Sequence, residues 1–199
     1  MKMKKLILIL AALMVASLFT GCIVARNVIT NSADFEIPYD TSRLIRFEIE
    51  MESGAVIAGD LYPLAAPITV RHFVTLAEQG YYNGTEFGVV VAGKYIQCLG
   101  AGDEPDYTLR GEFEKNGWKN NLTHYRGTMT LLRDEDDYDS GYSGFQILLE
   151  NRVYMDRSYA GFGKITSGLL DCDAISNVER EGRVPTEPQI IKEIRILGK

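Results

Sequence analysis

The chain has 199 residues, which suits one domain with a leader and leaves too little length for two large independent domains. Hydrophobic residues make up 46% of it and charged residues 24%, a balance typical of a packed globular domain and not of a disordered or collagen-like chain. The formal net charge of -6 disfavours nucleic acid as a partner.

The first element in chain order is an export leader. The basic start MKMKK precedes an apolar stretch from Leu6 to Phe19, which is shorter than the roughly 20 residues that a membrane-spanning helix needs. The residues that follow, Thr20-Gly21-Cys22, resemble the end of a lipobox, a motif that is cleaved before a lipid-modified cysteine. We therefore expect residues 1–21 to be a lipoprotein signal peptide and Cys22 to hold the domain outside the cytoplasm, on a membrane of the bacterial cell envelope. The alternatives are an ordinary signal peptide or an uncleaved anchor.

Two cysteines remain after the anchor position. Cys98 and Cys172 could pair outside the cytoplasm, although nothing in the sequence places them within disulfide reach. Removal of residues 1–21 would take away three lysines and no acidic residue, so the formal charge would move from -6 to -9. The acidic run at residues 134–137 lacks the spaced oxygen ligands and the glycine of a calcium loop, so we predict a solvated loop and no metal site.

The domain begins with a predicted hairpin. Residues 22–42 are polar and aperiodic, which predicts a tether, and we expect one ordered domain at residues 43–199. Apolar and charged residues alternate from Leu44 to Met51, which is the period of a half-buried strand. The turn at Ser53-Gly54 and the run from Val56 to Tyr62 predict the returning strand.

A helix and a series of short strands follow. Pro67 predicts a helix start, apolar residues recur at spacings of three and four after it, and Gly80 predicts its end. Many short strands with two helices favour a closed barrel. The later predicted strands are Glu86 to Val91, Tyr95 to Leu99, Gly127 to Leu132, Phe145 to Leu149, Ala160 to Lys164 and Ile190 to Leu197, and the second predicted helix is Leu169 to Ile175.

Short sequence motifs lie within and between these elements, in a defined order from Arg43 to Leu197. They are Leu61-Tyr62-Pro63, Ala66-Pro67, Thr69-Val70 with Phe73, Gly80-Tyr81-Tyr82-Asn83-Gly84-Thr85 with Phe87, Gly93 with Gln97, Tyr107-Thr108, Glu112-Phe113, Arg126-Gly127-Thr128 and Phe162-Gly163-Lys164. These motifs, in this order, closely resemble those of the cyclophilin family. The resemblance implies a mainly β fold, an eight-stranded closed antiparallel β-barrel capped by two α-helices.

The activity that the resemblance implies is peptidyl-prolyl cis-trans isomerisation. Rotation about a peptide bond crosses a barrier of about 18–20 kcal/mol, and for X-Pro bonds this slow step can limit folding. The family binds the proline ring in an apolar pocket on the outer face of the barrel and directs an arginine at the prolyl nitrogen, with no cofactor. We therefore expect proline-containing peptides or exported proteins as partners, and a monomer.

The family's site segment F-H-R-V-I-P-G-F-M-I-Q corresponds here to F-G-V-V-V-A-G-K-Y-I-Q at residues 87–97. The resemblance therefore puts Val89 in the arginine slot, and valine offers no hydrogen-bond donor. Lys94 and Tyr95 replace a phenylalanine and a methionine of the proline pocket. Gln97 is retained, and in the family this glutamine orders the substrate backbone. No catalytic residue is predicted for this chain.

Four further positions complete the implied peptide-binding set. Leu132 replaces a small alanine that contacts the peptide, and Gln146 replaces a pocket phenylalanine. Met155 stands for the pocket leucine, and Tyr159 occupies a position where the family has histidine or tyrosine. Each position also has a simpler interpretation as a packing or solvated residue. Of the other arginines, only Arg133 is expected near the groove.

Two functions are consistent with these residues. The first is an isomerase that assists folding of exported proteins, with catalysis reduced because the arginine slot is Val89. The second is a non-catalytic peptide-binding or scaffold module on the same barrel. The histidines do not accompany a recognised nucleophile motif, so the sequence gives no case for hydrolysis.

Overall fold

A computed structural model describes residues 27–102 and 106–198 of the chain. The predicted signal peptide and Cys22 lie outside the described residues. The helices are α1 (Pro67–Glu78) and α2 (Leu169–Ser176), and single 3-10 turns occur at Ser32–Asp34, Glu114–Asn116 and Val153–Met155. The strands are β1 (Asn27–Ile29), β2 (Ile45–Met51), β3 (Val56–Leu61), β4 (Val89–Val91), β5 (Tyr95–Cys98), β6 (Tyr107–Leu109), β7 (Thr128–Leu131), β8 (Phe145–Leu148), β9 (Gly161–Ser167), β10 (Arg180–Glu181), β11 (Val184–Pro185) and β12 (Ile191–Leu197).

Eight strands form one antiparallel sheet in the order β12-β2-β3-β9-β7-β8-β5-β4. The sheet curls so that its two edges approach each other. Phe87 N donates a hydrogen bond to Gln189 O at 2.9 Å, and Glu86 forms an isolated bridge with Ile190. The predicted eight-stranded, two-helix architecture is confirmed, but "closed" overstates it, because these few bonds replace a continuous ladder between β4 and β12.

The predicted opening hairpin is confirmed. Along β2 the residues Ile45, Phe47 and Ile49 face the core and alternate with exposed or half-buried charged residues. The Phe47 ring needs a glycine on the paired strand, because a Cβ at Gly59 would lie 2.7 Å from that ring and 2.4 Å from Lys164 O. The hairpin register is therefore determined by the apolar period and by this close approach.

Helix α1 packs its apolar face against the inside of the sheet. Phe73 on that face is 3% exposed and meets the Phe145 ring edge-on, with the centroids 5.6 Å apart. It lies at 5.3 Å from both Tyr82 and Phe162. These rings form the centre of the core, which agrees with the apolar stripe predicted for the helix.

A buried carboxylate attaches the start of α1 to the segment after β6. The position before the helix is Ala66, whose side chain cannot cap it. Instead Glu112 accepts hydrogen bonds from Ile68 N and Thr69 N, both at 2.8 Å, and from the Thr69 hydroxyl at 2.7 Å. Burial raises the pKa of Glu112 to about 7, although these bonds and Arg110 act in the opposite direction. A residue more than forty positions away in the chain thus satisfies the unpaired amides of the helix start.

The structure corrects the expectation that order begins near Arg43. In the described part of the predicted tether, β1 pairs in parallel with β6. Phe35 and Tyr39 are each only 8% exposed, and the Phe35 ring lies 5.0 Å from the His72 ring of α1. Arg71 Nη1 donates to Phe35 O at 2.9 Å. The two aromatic residues bury apolar surface against the helix. The sequence did not show this, because most residues of the segment are polar.

Cys98 and Cys172 are both buried free thiols, so the structure does not pair them. Across residues 27–102 and 106–198, no helix has the length and apolar character required to cross a membrane. The same ranges contain no group of three or more His, Cys, Asp or Glu side chains that could hold a metal ion.

Glu112→Gln tests the buried carboxyl. Its pKa is raised from 4.5 to about 7 on folding, so the folded state binds this proton more tightly than the unfolded chain. The resulting stabilisation is present below about pH 4.5 and is lost as the pH rises towards about 7. Relative to wild type, the glutamine variant should therefore gain about 3 kcal/mol of unfolding free energy between about pH 4.5 and about pH 8. Urea unfolding of both proteins across this range measures the difference, and a difference independent of pH would contradict the assignment.

Candidate functional site

Four residues on neighbouring strands form a row across the outer face of the sheet. Val89 on β4 is paired with Gln97 on β5, Gln97 with Gln146 on β8, and Gln146 with Thr130 on β7. Directly opposed residues of an antiparallel pair project on the same side. The residues next to them in each strand face the core, so the row faces outward. We call these four residues the central row.

The central row is polar apart from Val89. Gln97 Nε2 donates a hydrogen bond to Gln146 Oε1 at 3.2 Å, and Gln146 is only 5% exposed. The Thr130 hydroxyl is buried and has no hydrogen-bond partner among the described residues. Val89 is half-buried and lies beside Gln97. The slot where the family resemblance implies an arginine thus holds a hydrocarbon, and the slot of a pocket phenylalanine holds an amide.

A second row lies one step below the central row. Tyr95 on β5 is paired with Val91 on one side and with Leu148 on the other. Leu148 is buried, whereas Tyr95 is half-buried with its ring on the outer face. Lys94 occupies the turn between β4 and β5, where its side chain is exposed and its carbonyl accepts from Leu149 N at 2.8 Å. We call the outer face of β4, β5, β8 and β7 along these rows the groove, and the region of Tyr95 and Lys94 its lower end.

Arg152 contributes a cation to the lower end. Its guanidinium carbon lies 4.9 Å from the centroid of the Tyr95 ring, a cation–π arrangement. Its Nη1 donates to the Tyr154 hydroxyl at 2.9 Å and its Nη2 to Glu150 Oε1 at 2.8 Å. The Arg152 side chain is 16% exposed.

The backbone around Arg152 is held by His124. Arg152 N donates to His124 O at 2.7 Å. His124 N donates to Asp156 Oδ1 at 2.7 Å, and His124 Nδ1 lies 2.7 Å from the same oxygen. Burial lowers the pKa of His124, and Asp156 opposes that shift. His124 and Asp156 thus join the segment between β8 and β9 to the loop that precedes β7.

Leu132 and Arg133 lie at the opposite, upper end of the groove, where β7 ends. The Arg133 guanidinium stacks on the Tyr159 ring at 4.4 Å and lies 5.0 Å from the Tyr138 ring. Its Nε donates to Ser158 O at 3.0 Å, and its Nη1 donates to carbonyls of the following loop. Arg133 therefore holds the acidic loop of residues 134–139 and is not directed at the central row.

The structure brings only part of the predicted peptide-binding set together. Tyr95, Gln97 and Gln146 lie on two adjacent strands. Leu132 belongs to the upper end, whereas Lys94 belongs to the lower end. The remaining two are on the segment between β8 and β9, where Met155 is 5% exposed and Tyr159 N donates to Met155 O at 3.0 Å.

Two further arginines are bonded away from the central row. Arg71 donates to Phe35 O and to the Thr41 hydroxyl, and Arg126 forms a two-bond pair with Asp173. Sequence reasoning missed Arg152, whose guanidinium lies beside the predicted site residue Tyr95. Its position three residues before Met155 was a weak signal, since the direction of its side chain depends on the chain path after β8.

A family model described as cyclophilin type peptidyl-prolyl cis-trans isomerase/CLD matches residues 46–196 of this chain. Peptidyl-prolyl cis-trans isomerase B of Bacillus subtilis is 34% identical over 153 residues, which cover 74% of this chain and 95% of that protein. Peptidyl-prolyl cis-trans isomerase A of Dickeya dadantii is 32% identical over 144 residues, 67% of this chain and 75% of that protein.

Solved structures share the fold. A Cryptosporidium parvum cyclophilin type peptidyl-prolyl cis-trans isomerase superposes with a TM-score of 0.67 at 22% identity, over 79% of this chain and 99% of its own. That protein has also been crystallised in the presence of the dipeptide Ala-Pro. At this identity the likeness concerns the fold alone.

Arg133→Gln should loosen the upper end of the groove. The variant loses the stacking on Tyr159 and the bonds to loop carbonyls, so backbone amides of residues 134–139 should exchange with deuterium faster than in wild type. Hydrogen exchange read by mass spectrometry or NMR measures this. Arg157→Gln, which removes an exposed ion pair with Glu114, is the control and should leave the loop unchanged. Equal protection of the loop in wild type and Arg133→Gln would show that Arg133 does not hold it.

Proposed function

We propose, because this chain belongs to the cyclophilin-type peptidyl-prolyl cis-trans isomerase family, that it binds proline-containing segments of exported proteins and assists their folding, with reduced catalysis of X-Pro isomerisation. Cyclophilins bind proline-containing peptides, and the outer face of this barrel carries the residues that correspond to their site. The protein would act where newly exported chains still contain both X-Pro isomers.

The observation that supports reduced catalysis is Val89 in the central row. Isomerisation requires the prolyl nitrogen to lose its conjugation with the carbonyl, and a donor directed at that nitrogen favours the twisted state. A valine side chain can shield the bond from water but cannot donate. Removal of one directed donor from other active sites costs about 10²–10³ in rate. We therefore expect this chain to be slower than its relatives by a factor of that order.

The second candidate is a non-catalytic peptide-binding or scaffold module. The hydrogen bond between Gln97 and Gln146 favours it, since the glutamine that orders substrate backbone in the family is here engaged with an amide in the proline pocket. A polar floor binds a plain proline ring less well than a phenylalanine does. The barrel could still hold an extended peptide through backbone contacts.

We also propose that the protein is a lipid-anchored monomer of the bacterial cell envelope. The support for the anchor is the predicted leader at residues 1–21, which is followed directly by Cys22. Several acyl chains on one cysteine give stable anchoring, because each buried methylene contributes about 0.8 kcal/mol and one chain alone is marginal.

Val89→Arg separates the two candidates. Wild type and the variant, both as residues 23–199, would be compared with the Bacillus subtilis relative on one proline-containing peptide, with isomer exchange followed by NMR. If Val89 is the cause of slow turnover, the isomerisation rate of wild type should be about 10²-fold lower than that of the relative. The rate of the variant should be at least about tenfold higher than that of wild type. Val91→Arg, two residues further along the same strand, is the matched control and should leave the isomerisation rate at the wild-type value.

The other outcomes are also informative. Wild-type turnover equal to that of the relative would contradict reduced catalysis. Peptide binding without turnover in either protein would support the scaffold function. Absence of both binding and turnover would contradict both candidates.

Cys22→Ser tests the anchor. The wild-type chain expressed in a bacterium should incorporate labelled fatty acid and sediment with membranes, because the acyl chains hold it there. The serine variant should incorporate none, and its uncleaved precursor should accumulate. Labelling of both proteins, or of neither, would contradict the lipoprotein assignment.

A further inference from the structure

We infer that Arg152 makes the lower end of the groove selective for proline-containing peptides that carry an acidic side chain within about two residues of the proline. This inference rests on the proposed function, because it names the class of peptide that the same groove would take. Arg152 lies outside residues 87–97, the segment that corresponds to the family's site motif.

The first support is position. Tyr95 and Gln97 are two residues apart on β5 and project on the same face, which separates them by roughly 7 Å. The Arg152 guanidinium lies over Tyr95, so it stands about two residues of extended peptide from the central row. A side chain of a bound peptide can therefore reach it while the proline lies on the central row.

The second support is that the guanidinium is held in place before any ligand binds. Arg152 is anchored through its backbone by His124, through stacking on Tyr95, and through a hydrogen bond to the Tyr154 hydroxyl. Fixing a long side chain in advance reduces the entropy that binding must remove. The planar guanidinium also presents paired donors that match the two oxygens of a carboxylate.

The third support is the spare donor capacity of the two Nη atoms. Each Nη carries two hydrogens, and the structure shows one hydrogen bond from Nη1 to the Tyr154 hydroxyl and one from Nη2 to Glu150. The Arg152 side chain is 16% exposed, so a ligand can reach part of it. Arg152 Nε is enclosed and has no hydrogen-bond partner in the part of the chain that the structure describes, so binding would use the Nη atoms.

The fourth support is the distribution of charge along the groove. Lys94 places a second cation at the lower end, and its ammonium makes no ion pair with any described residue. Glu150 offsets one of the two positive charges. The acidic loop of residues 134–139 lies at the upper end. In a chain of net charge -6, the groove thus has a positive lower end and a negative upper end, which would orient an acidic peptide.

The ion pair with Glu150 has an opposing interpretation, in which Arg152 only stabilises the segment between β8 and β9. The two roles differ in what a substitution changes. Substitution of a structural arginine weakens all peptides alike, whereas substitution of a recognition arginine weakens acidic peptides more than neutral ones. Glu150→Gln distinguishes them further, because removing the competing carboxylate should strengthen acidic peptides if Arg152 recognises them.

The experiment measures peptide binding to the full chain in detergent by fluorescence anisotropy. The probes are labelled peptides with one proline in an alanine background, in which one residue within two positions before or after the proline is Glu, Gln or Lys. At low salt, the best Glu peptide should bind about threefold to fivefold more tightly than its Gln counterpart, and the Lys counterpart more weakly still. High salt should reduce this preference.

Three variants and one control complete the design. Arg152→Gln should abolish the preference for Glu peptides over Gln peptides, and Arg152→Lys should retain part of it. Glu150→Gln should increase the preference. Arg46→Gln is the matched control, because this exposed arginine lies on β2, separated from β5 by four strands of the sheet, and it should change nothing.

Each outcome decides the inference. Equal binding of Glu and Gln peptides by wild type would overturn it, as would an Arg152→Gln variant that weakens both peptides alike. Failure of the chain to bind any proline peptide, including the neutral ones, would overturn the proposed function as well. Binding of neutral peptides without a charge preference would overturn only the role of Arg152.

Discussion

Antiparallel pairing of β4, β5, β8 and β7 places the side chains of directly opposed residues next to one another on the outer face of the barrel. This pairing fixes which residues can act together, because a shift of one residue in any strand would send its side chain into the core. The core side enforces the register through large apolar residues such as Ile96 and Phe145, both fully buried. The residues of the outer face can therefore differ without disturbing the fold, and Val89 and Gln146 are the two positions of the central row where the family resemblance implies other residues.

The fold itself is held by contacts between distant parts of the chain. Glu112 completes the start of α1, and Phe73 on that helix inserts among rings supplied by three other segments. The N-terminal segment then packs Phe35 and Tyr39 on the outer side of the same helix. The ring contacts, including that of Phe145 on β8, lie on the inner face of the sheet, whereas the central row lies on its outer face. The core and the groove therefore use different side chains of the same strands. Substitutions in the central row should therefore be interpretable as changes in binding rather than in folding.

The sequence predicted most of the fold because the relevant signals are periodic. The alternation in β2 and the three- and four-residue spacing in α1 gave elements whose ends lie within about two residues of those observed. β1 and the β10–β11 pair have three and two residues per strand, too few to show any period. At the candidate site, Val89 could be assigned to the arginine slot because it lies inside a recognisable sequence motif. The contact of Arg152 with Tyr95 could not be predicted, because it depends on where the loop after β8 directs the arginine side chain.

A groove with this composition has to obtain binding energy differently from one lined by apolar residues. The hydrogen-bonded amides of Gln97 and Gln146 and the unpaired hydroxyl of Thr130 bury little apolar surface, so the central row offers a proline ring less of the hydrophobic contribution of about 25 cal/mol per Å². The amides of Gln97 and Gln146 already bond each other, so they gain little from a neutral peptide, which would only exchange one hydrogen bond for another. A fixed guanidinium beside an aromatic ring gains more, because its charge is partly desolvated before the ligand arrives. If the proposed function holds, a pocket that is less apolar for proline alone would favour ligands whose flanking side chains carry the complementary charge.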